Sequence, residues 1–166
     1  MFGAADPEQA ISQLEAYYRE GRGERAEVMA SALVDQLMAK KDRDDNTQGI
    51  MVKGLRILAG VLNSRGKYKR ARITIGLLHK HRNRHGKAVG HDLVAAAADY
   101  HLAGFIHSNA GKKGAAKKAF SKWEKLQPGH LAAALDLAEQ CGHVKTLAKL
   151  YPNAGPVISK NGAYIL

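Results

Sequence analysis

Four of the eight histidines in this sequence lie close together, and imidazole is the commonest metal ligand in proteins. They are His79, His81, His85 and His91. On a helix, His81 and His85 would lie one turn apart, which suits two ligands of one ion. The surrounding chain is rich in Lys and Arg, which would repel a divalent ion, and it contains no carboxylate or thiol before Asp92. We therefore predict no metal site and expect these imidazoles to interact with the negative end of a helix dipole.

Two further groups contain residue types used in catalysis. Asp99, His101, His107 and Ser108 include the side-chain types of a hydrolytic triad, but all four fall on one predicted helix without the strand-to-helix elbow that exposes a nucleophile. The stretch 111–114, Gly-Lys-Lys-Gly, has no preceding strand and lacks the spacing of a phosphate-binding loop. We expect no catalytic residues, no cofactor and no enzymatic activity.

The composition is that of a basic globular protein. The chain has 166 residues, 45% of them hydrophobic, with 26 Lys and Arg against 15 Asp and Glu and a formal net charge of +11. The single cysteine, Cys141, excludes a disulfide within one chain. Residues 1–10 lack the features of a secretory signal, and no apolar run of about 18 residues is present. We therefore expect a cytoplasmic protein with no membrane span.

The sequence predicts an all-α fold built from a repeat of 45 residues, the interval that separates Gly21, Gly66 and Gly111. No proline interrupts the chain between residues 8 and 127, and apolar residues recur at helical spacing. Three further positions keep their offset from each glycine. They are Leu14, Ala59 and Gly104 seven residues before it, Ala26, Ala71 and Ala116 five after it, and Leu33, Leu78 and Trp123 twelve after it. Each unit is predicted to be a helix, a glycine turn and a helix.

We place the units near 7–41, 49–84 and 90–128, with a shorter closing hairpin near 129–151. The first helices are expected near 7–20, 49–64 and 90–109, and the second near 24–41, 67–84 and 113–126. One helical repeat domain would then occupy residues 1–151. Residues 152–166 contain two prolines and two glycines and are expected to form a C-terminal tail.

The third unit resembles the tetratricopeptide repeat. The similarity is carried by Tyr100, Ala103, Gly104, His107, Gly111, Ala116, Phe120 and Pro128. The second unit is similar through Leu55, Leu58, Ala59, Leu62, Gly66, Tyr68, Ala71 and Ile75, with Asn83 in place of the exit proline. The first resembles the pattern more weakly, through Leu14, Tyr17, Gly21 and Ala26, and Trp123 departs from it where a small residue is usual.

The resemblance implies a right-handed α-solenoid of about three such hairpins, plus the closing hairpin, whose first helices line a concave groove. Such a protein is a scaffold or adaptor that binds a peptide or helix of another protein. By the resemblance, six residues would contact the partner in the groove. They are Tyr18, Lys53, Arg56, Asn63, His101 and Phe105.

The positive charge is concentrated in the middle of the chain, since residues 46–91 contain eleven Lys and Arg and no Asp or Glu. Helical spacing aligns five of these cations in a basic stripe on the convex side, along the second helix of the second unit and the residues just outside it. The stripe consists of Arg65, Lys69, Arg72, Lys80 and Lys87. One interpretation is a solvated face, and the other is a surface for an anionic partner such as an acidic protein segment or a phospholipid surface.

Two other partners fit the charge distribution. Pairing of the acidic residues near Asp42, Asp44 and Asp45 with the basic stripe of a neighbouring copy would produce self-association. The alternative function is nucleic-acid binding through the basic block 53–87. The block contains only one aromatic residue, Tyr68, and no recognition-helix pattern, which favours a protein partner.

Overall fold

The computed structural model describes residues 6–84 and 93–126, and the regular structure in these ranges is entirely α-helical, as predicted. The helices are α1 (Pro7–Arg19), α2 (Gly23–Met38), α3 (Asp45–Ser64), α4 (Tyr68–Arg84), α5 (Leu93–Asn109) and α6 (Lys113–Leu126). The predicted closing hairpin at 129–151 and tail at 152–166 lie outside the described residues. No described helix has the combination of length and apolar character needed to cross a membrane.

The helices belong to two compact units, one ending at His91 and the other beginning at Asp92. In the first unit, α3 is the central helix because it packs against α1, α2 and α4, and α1 also packs against α2. In the second unit, α5 packs against α6. Each predicted pair of helices is therefore an antiparallel neighbour pair joined by a short turn.

The three glycines of the repeat form the same turn. Gly21, Gly66 and Gly111 have φ values of 72°, 76° and 74°, and no other described residue has a positive φ. Each glycine donates its amide to the carbonyl three residues earlier, at 3.2, 3.1 and 3.0 Å, and the next residue donates to the carbonyl five residues earlier. This is the Schellman arrangement, in which a left-handed residue satisfies the last carbonyls of a helix. The repeated glycine is required because other L residues are strained at that φ.

The residues at the other repeated positions are equally buried. The alanines at 26, 71 and 116 are fully buried, as are Leu14 and Ala59, and Gly104 is buried with them. Leu33, Leu78 and Trp123 retain no more than 3% of their exposed surface. Small residues thus lie where the two helices of a hairpin approach, and larger ones fill the space one further turn along, as the spacing predicts.

The connection between α2 and α3 is shorter than predicted, since α2 ends at Met38 and α3 begins at Asp45. Both ends are fixed by side chains. The Arg43 guanidinium donates to the carbonyl oxygens of Leu37 and Lys40, at 3.0 and 2.9 Å, and so satisfies the end of α2. Asp44 is the N-cap of α3, because its carboxylate accepts from the Thr47 amide at 2.7 Å. Hydrogen bonding to the Thr47 side chain and to its backbone amide lowers the pKa of Asp44.

Candidate binding surfaces

Two of the predicted groove residues in the first unit are packing residues. Tyr18 is 5% exposed and Asn63 is 4% exposed. The tyrosine side chain extends from α1 onto α3 at Gly60, where an added Cβ would lie 2.6 Å from the Tyr18 hydroxyl. Gly60 thus makes room for the ring between neighbouring hairpins. The structure corrects the prediction for Tyr18 and Asn63, because their side chains have almost no surface to offer a partner.

The other two predicted groove residues in this unit remain accessible. Lys53 is exposed and Arg56 is half-buried, with an interaction of its own. All residues of α3 from Ile50 to Asn63 except Lys53 and Arg56 are buried. Between Ile50 and Asn63, the central helix therefore presents a narrow surface that consists of these two cations.

In the second unit, His101 is a packing residue and Phe105 is partly accessible. His101 is 2% exposed, and its ring centroid lies 5.4 Å from that of Phe120 and 4.3 Å from that of Trp123. Phe120 fits against α5 because residue 104 is glycine; an added Cβ there would lie 2.7 Å from the ring. Trp123, which departs from the tetratricopeptide pattern, is accommodated by this cluster. His101 is therefore a second correction to the predicted groove, whereas Phe105 is half-buried.

The predicted basic stripe is only partly available on α4. Lys69 and Lys80 are exposed, and Arg72 is half-buried with an interaction of its own. Arg65 is engaged elsewhere, since its Nε lies 2.7 Å from Glu27 Oε2. Lys87 lies outside the described residues. The accessible cations of the stripe among the described residues are thus Lys69 and Lys80.

Glu27 on α2 is the centre of a charge cluster that connects the first two hairpins. Three cations surround its carboxylate: Arg65 at 2.7 Å, Lys67 at 2.6 Å and Arg70 at 3.1 Å. The Glu27 side chain is 10% exposed, whereas those of the three cations are 35%, 41% and 56% exposed. One buried carboxylate therefore holds the turn before α4 against α2, and it partly neutralises three cations of the acid-free block.

The pKa of Glu27 lies below its ordinary value. Burial raises the pKa, but the hydrogen bond from Lys67 and the charges of Lys67, Arg65 and Arg70 together outweigh this effect. The carboxylate is consequently ionised at neutral pH. Nothing in the sequence pattern singled out Glu27, because the contact joins residues about 40 positions apart.

Two further surface features were not predicted. Ile73 and Leu77, which lie beside the stripe on α4, are 60% and 38% exposed. On α6 and the turn before it, all lysines are exposed. They are Lys112, Lys113, Lys117, Lys118, Lys122 and Lys125. Helical spacing could have revealed the lysine face, whereas the exposure of the two apolar residues depends on which neighbours cover α4.

The groups considered for chemistry are dispersed or buried. His79 is half-buried and His81 is buried, while His85 and His91 lie outside the described residues. Within the part of the chain that the structure describes, no three His, Cys, Asp or Glu side chains come together as metal ligands would. Asp99 is buried along with His101, and the His101 ring is enclosed by aromatic side chains.

Comparisons of the chain with protein-family models, curated proteins and solved structures return no match. The similarity to the tetratricopeptide repeat therefore rests on the residues and turns described above.

Proposed function

We propose that this chain is a helical-repeat scaffold of the tetratricopeptide type that binds a segment of another protein. The observation that supports it best is the recurrence of one glycine turn at three positions 45 residues apart, with equivalent residues buried around each. Hairpins of this kind gain a continuous core by stacking on one another. In the proposal they form a right-handed solenoid, and the protein acts by binding without catalysis.

The surface that we assign to the partner in the first unit is the cationic opening on α3. Lys53 and Arg56 are one turn apart in the stretch of α3 from Ile50 to Asn63, which is otherwise buried, so a ligand reaching that stretch meets positive charge. An acidic peptide segment complements this surface, since an arginine fork can hold a carboxylate through two hydrogen bonds.

Affinity purification with matched variants tests the proposal. The full-length protein, the double variant Lys53→Glu/Arg56→Glu and the control Lys40→Glu/Lys41→Glu are used as bait in nuclease-treated extract at two salt concentrations. Lys40 and Lys41 are exposed in the same unit, so the control has the same change in charge. The expected result is a protein that is retained by the parent and the control and lost by the α3 variant.

Circular dichroism establishes that all three proteins keep the same helical content, which removes misfolding as an explanation. Partners retained equally by the α3 variant would reject the surface around Lys53 and Arg56. Loss of all captured proteins after nuclease treatment would reject a protein partner altogether.

The exposed lysines of α6 favour nucleic-acid binding as a second candidate. They add a second basic helix to the basic block 53–87, and a lysine-rich face suits contacts with phosphates. Under this alternative, affinity for a single-stranded RNA falls steeply with salt, with a log–log slope of about 0.7 per phosphate contact. A protein partner bound through the two cations of the α3 opening has a weaker salt dependence, because fewer charges are involved.

A further inference from the structure

The exposed face of α4 combines apolar and basic side chains in one row. Ile73 and Leu77 are one turn apart and are 60% and 38% exposed. Lys69 lies one turn before Ile73 and Lys80 about one turn after Leu77, and both lysines are exposed. Steps of four, four and three residues keep all four side chains on the same side of the helix.

Exposed apolar side chains of this size are informative because they are adjacent. A single exposed isoleucine is ordinary, whereas a contiguous apolar pair framed by charges is typical of an interface. The opposite side of α4 is already used, since Ala71, Ile75 and Leu78 are at most 1% exposed. The helix therefore cannot rotate to bury Ile73 and Leu77 without exposing its own core.

Gly76 opens a gap in the same row. It is exposed, and an added Cβ would meet nothing within 4 Å. A glycine inside an exposed helix lowers helix stability, so its presence calls for a reason other than local structure. The missing side chain lets another backbone approach α4 closely beside Leu77, as small residues do where helices cross.

We propose that the row Lys69–Ile73–Leu77–Lys80 docks an acidic amphipathic helix of a partner protein. The partner's apolar residues pack on Ile73 and Leu77 beside the Gly76 gap, and its carboxylates meet the two lysines, which lie roughly 16 Å apart along the axis. Charge complementarity selects the acidic partner, because residues 46–91 contain no acid that could satisfy these lysines locally.

Other anionic partners fit this surface less well. Phosphates of nucleic acid gain nothing from an exposed isoleucine and leucine, and a lipid surface gains nothing from a gap at Gly76. The docking row lies on α4 and includes neither Lys53 nor Arg56. Its failure is therefore distinguishable from failure of the proposed α3 surface.

The test uses the full chain and a synthetic probe. The probe is a helical peptide of about 18 residues, about 27 Å long, with two leucines one turn apart and a glutamate one turn beyond each. A peptide of identical composition in scrambled order is its control. Fluorescence anisotropy measures binding of both, and the expected result is saturable binding of the patterned peptide alone.

Variants separate the apolar contribution from the charge. Ile73→Gln/Leu77→Gln is expected to weaken peptide binding by at least about tenfold, because the contacts of two partly exposed side chains are lost. Val28→Gln, at a valine on α2 that is 65% exposed, is the control and leaves binding unchanged. Lys69→Glu/Lys80→Glu weakens binding to a similar degree, whereas Lys113→Glu/Lys117→Glu on α6, with the same change in charge, does not.

Gly76→Leu is expected to change stability and peptide binding in opposite directions. Leucine is a better helix former than glycine, so the variant is expected to unfold at higher urea concentration while binding the peptide several-fold more weakly. Reduced binding together with raised stability cannot arise from misfolding.

Several results would overturn the proposal. They are absence of peptide binding, equal binding of the scrambled peptide, and binding unaffected by Ile73→Gln/Leu77→Gln. Stronger binding to phosphatidylserine vesicles, or to a single-stranded RNA of about 20 nucleotides, with the same dependence on Ile73 and Leu77 would assign the row to that partner instead. If the chain forms a dimer and dimerisation abolishes the Ile73-dependent peptide binding, the row would be assigned to a second copy of the chain.

Discussion

Removing the negative charge of Glu27 is expected to destabilise the first unit. In Glu27→Gln the side chain keeps its shape and its place between α2 and the turn before α4. Three cations, Arg65, Lys67 and Arg70, then lie together without the carboxylate that holds them within 3.1 Å. The loss has two parts, because two charge-assisted hydrogen bonds and the ion pair with Arg65 weaken, and the cations repel one another.

The size of the effect follows from the exposure of the groups. An exposed ion pair contributes about 0.2–1 kcal/mol, and breaking a fully buried pair costs about 3–5 kcal/mol. The Glu27 side chain is 10% exposed, but the cations are 35% to 56% exposed and therefore partly screened by water. We expect a loss of about 2 kcal/mol, which lowers the melting temperature of a unit of this size by about 8–16 °C.

The pH dependence has a defined sign. The folded state lowers the pKa of Glu27 from its ordinary value of 4.5, so the unfolded chain binds the proton more tightly. The stabilisation is complete above the unfolded pKa and is lost as pH falls through the folded pKa. The difference in stability between the parent and Glu27→Gln is therefore full at about pH 7 and shrinks below about pH 4.5.

Urea denaturation followed by circular dichroism at several pH values measures this difference. Glu20→Gln is the matched control, since Glu20 pairs with Arg22 at 2.9 Å on the surface, where both side chains are more than half exposed. The control is expected to change stability by less than about 0.5 kcal/mol. Equal effects of the two substitutions, or a Glu27 effect that stays constant down to about pH 3, would refute the role of the charge cluster.

Three further predictions concern the helix ends and the core, and each is checked by urea denaturation of the parent and the variant. Gly111→Ala is expected to cost about 1–2 kcal/mol because the φ of 74° strains any residue with a Cβ, whereas Gly114→Ala, with nothing within 4 Å, leaves stability unchanged or raises it. Gly104→Ala is expected to cost about 1–3 kcal/mol because its Cβ would lie 2.7 Å from the Phe120 ring; a neutral result would show that the ring moves freely. Asp44→Ala is expected to lower stability and Asp44→Asn to preserve it, since the side-chain oxygen of asparagine can also accept from the Thr47 amide; equal losses would show that the cap does not stabilise α3.

The repeat could be predicted because its essential residue has a conformational role that few others can fill. Gly21, Gly66 and Gly111 mark the turns, and the φ values show why glycine stands there. Among the helix bounds that lie within the described residues, those between α2 and α3 differ most from the prediction. There Asp44 is an ordinary N-cap residue and could have been recognised, but the capping of α2 by Arg43 depends on a side chain folding back over several residues.

The predicted groove was less accurate because burial at a helix surface depends on contacts distant in sequence. Tyr18 and His101 occupy positions where the resemblance implies contact with a partner. Gly60 on α3 makes room for the Tyr18 ring of α1, and Gly104 on α5 makes room for the Phe120 ring of α6, which lies against His101. A glycine in the sequence does not reveal which side chain fills the space above it, so these residues could not be assigned to the core in advance.

The repeat also accounts for the exposed positive charge on α4 and on α6. Glu27, Arg72 and Lys117 occupy equivalent positions, 45 residues apart, on the second helix of each hairpin. In the first hairpin this position carries a carboxylate that binds Arg65 and Lys67 of the next turn and Arg70 at the start of α4. In the second and third hairpins it carries a cation, which does not neutralise neighbouring cations. Lys69 and Lys80 of α4 and the lysines of α6 therefore add to the surface potential, whereas the three cations near Glu27 are partly neutralised. This difference predicts that reversing Lys69 and Lys80 weakens binding of an acidic peptide more than reversing Lys67 and Arg70, although each pair changes the net charge equally.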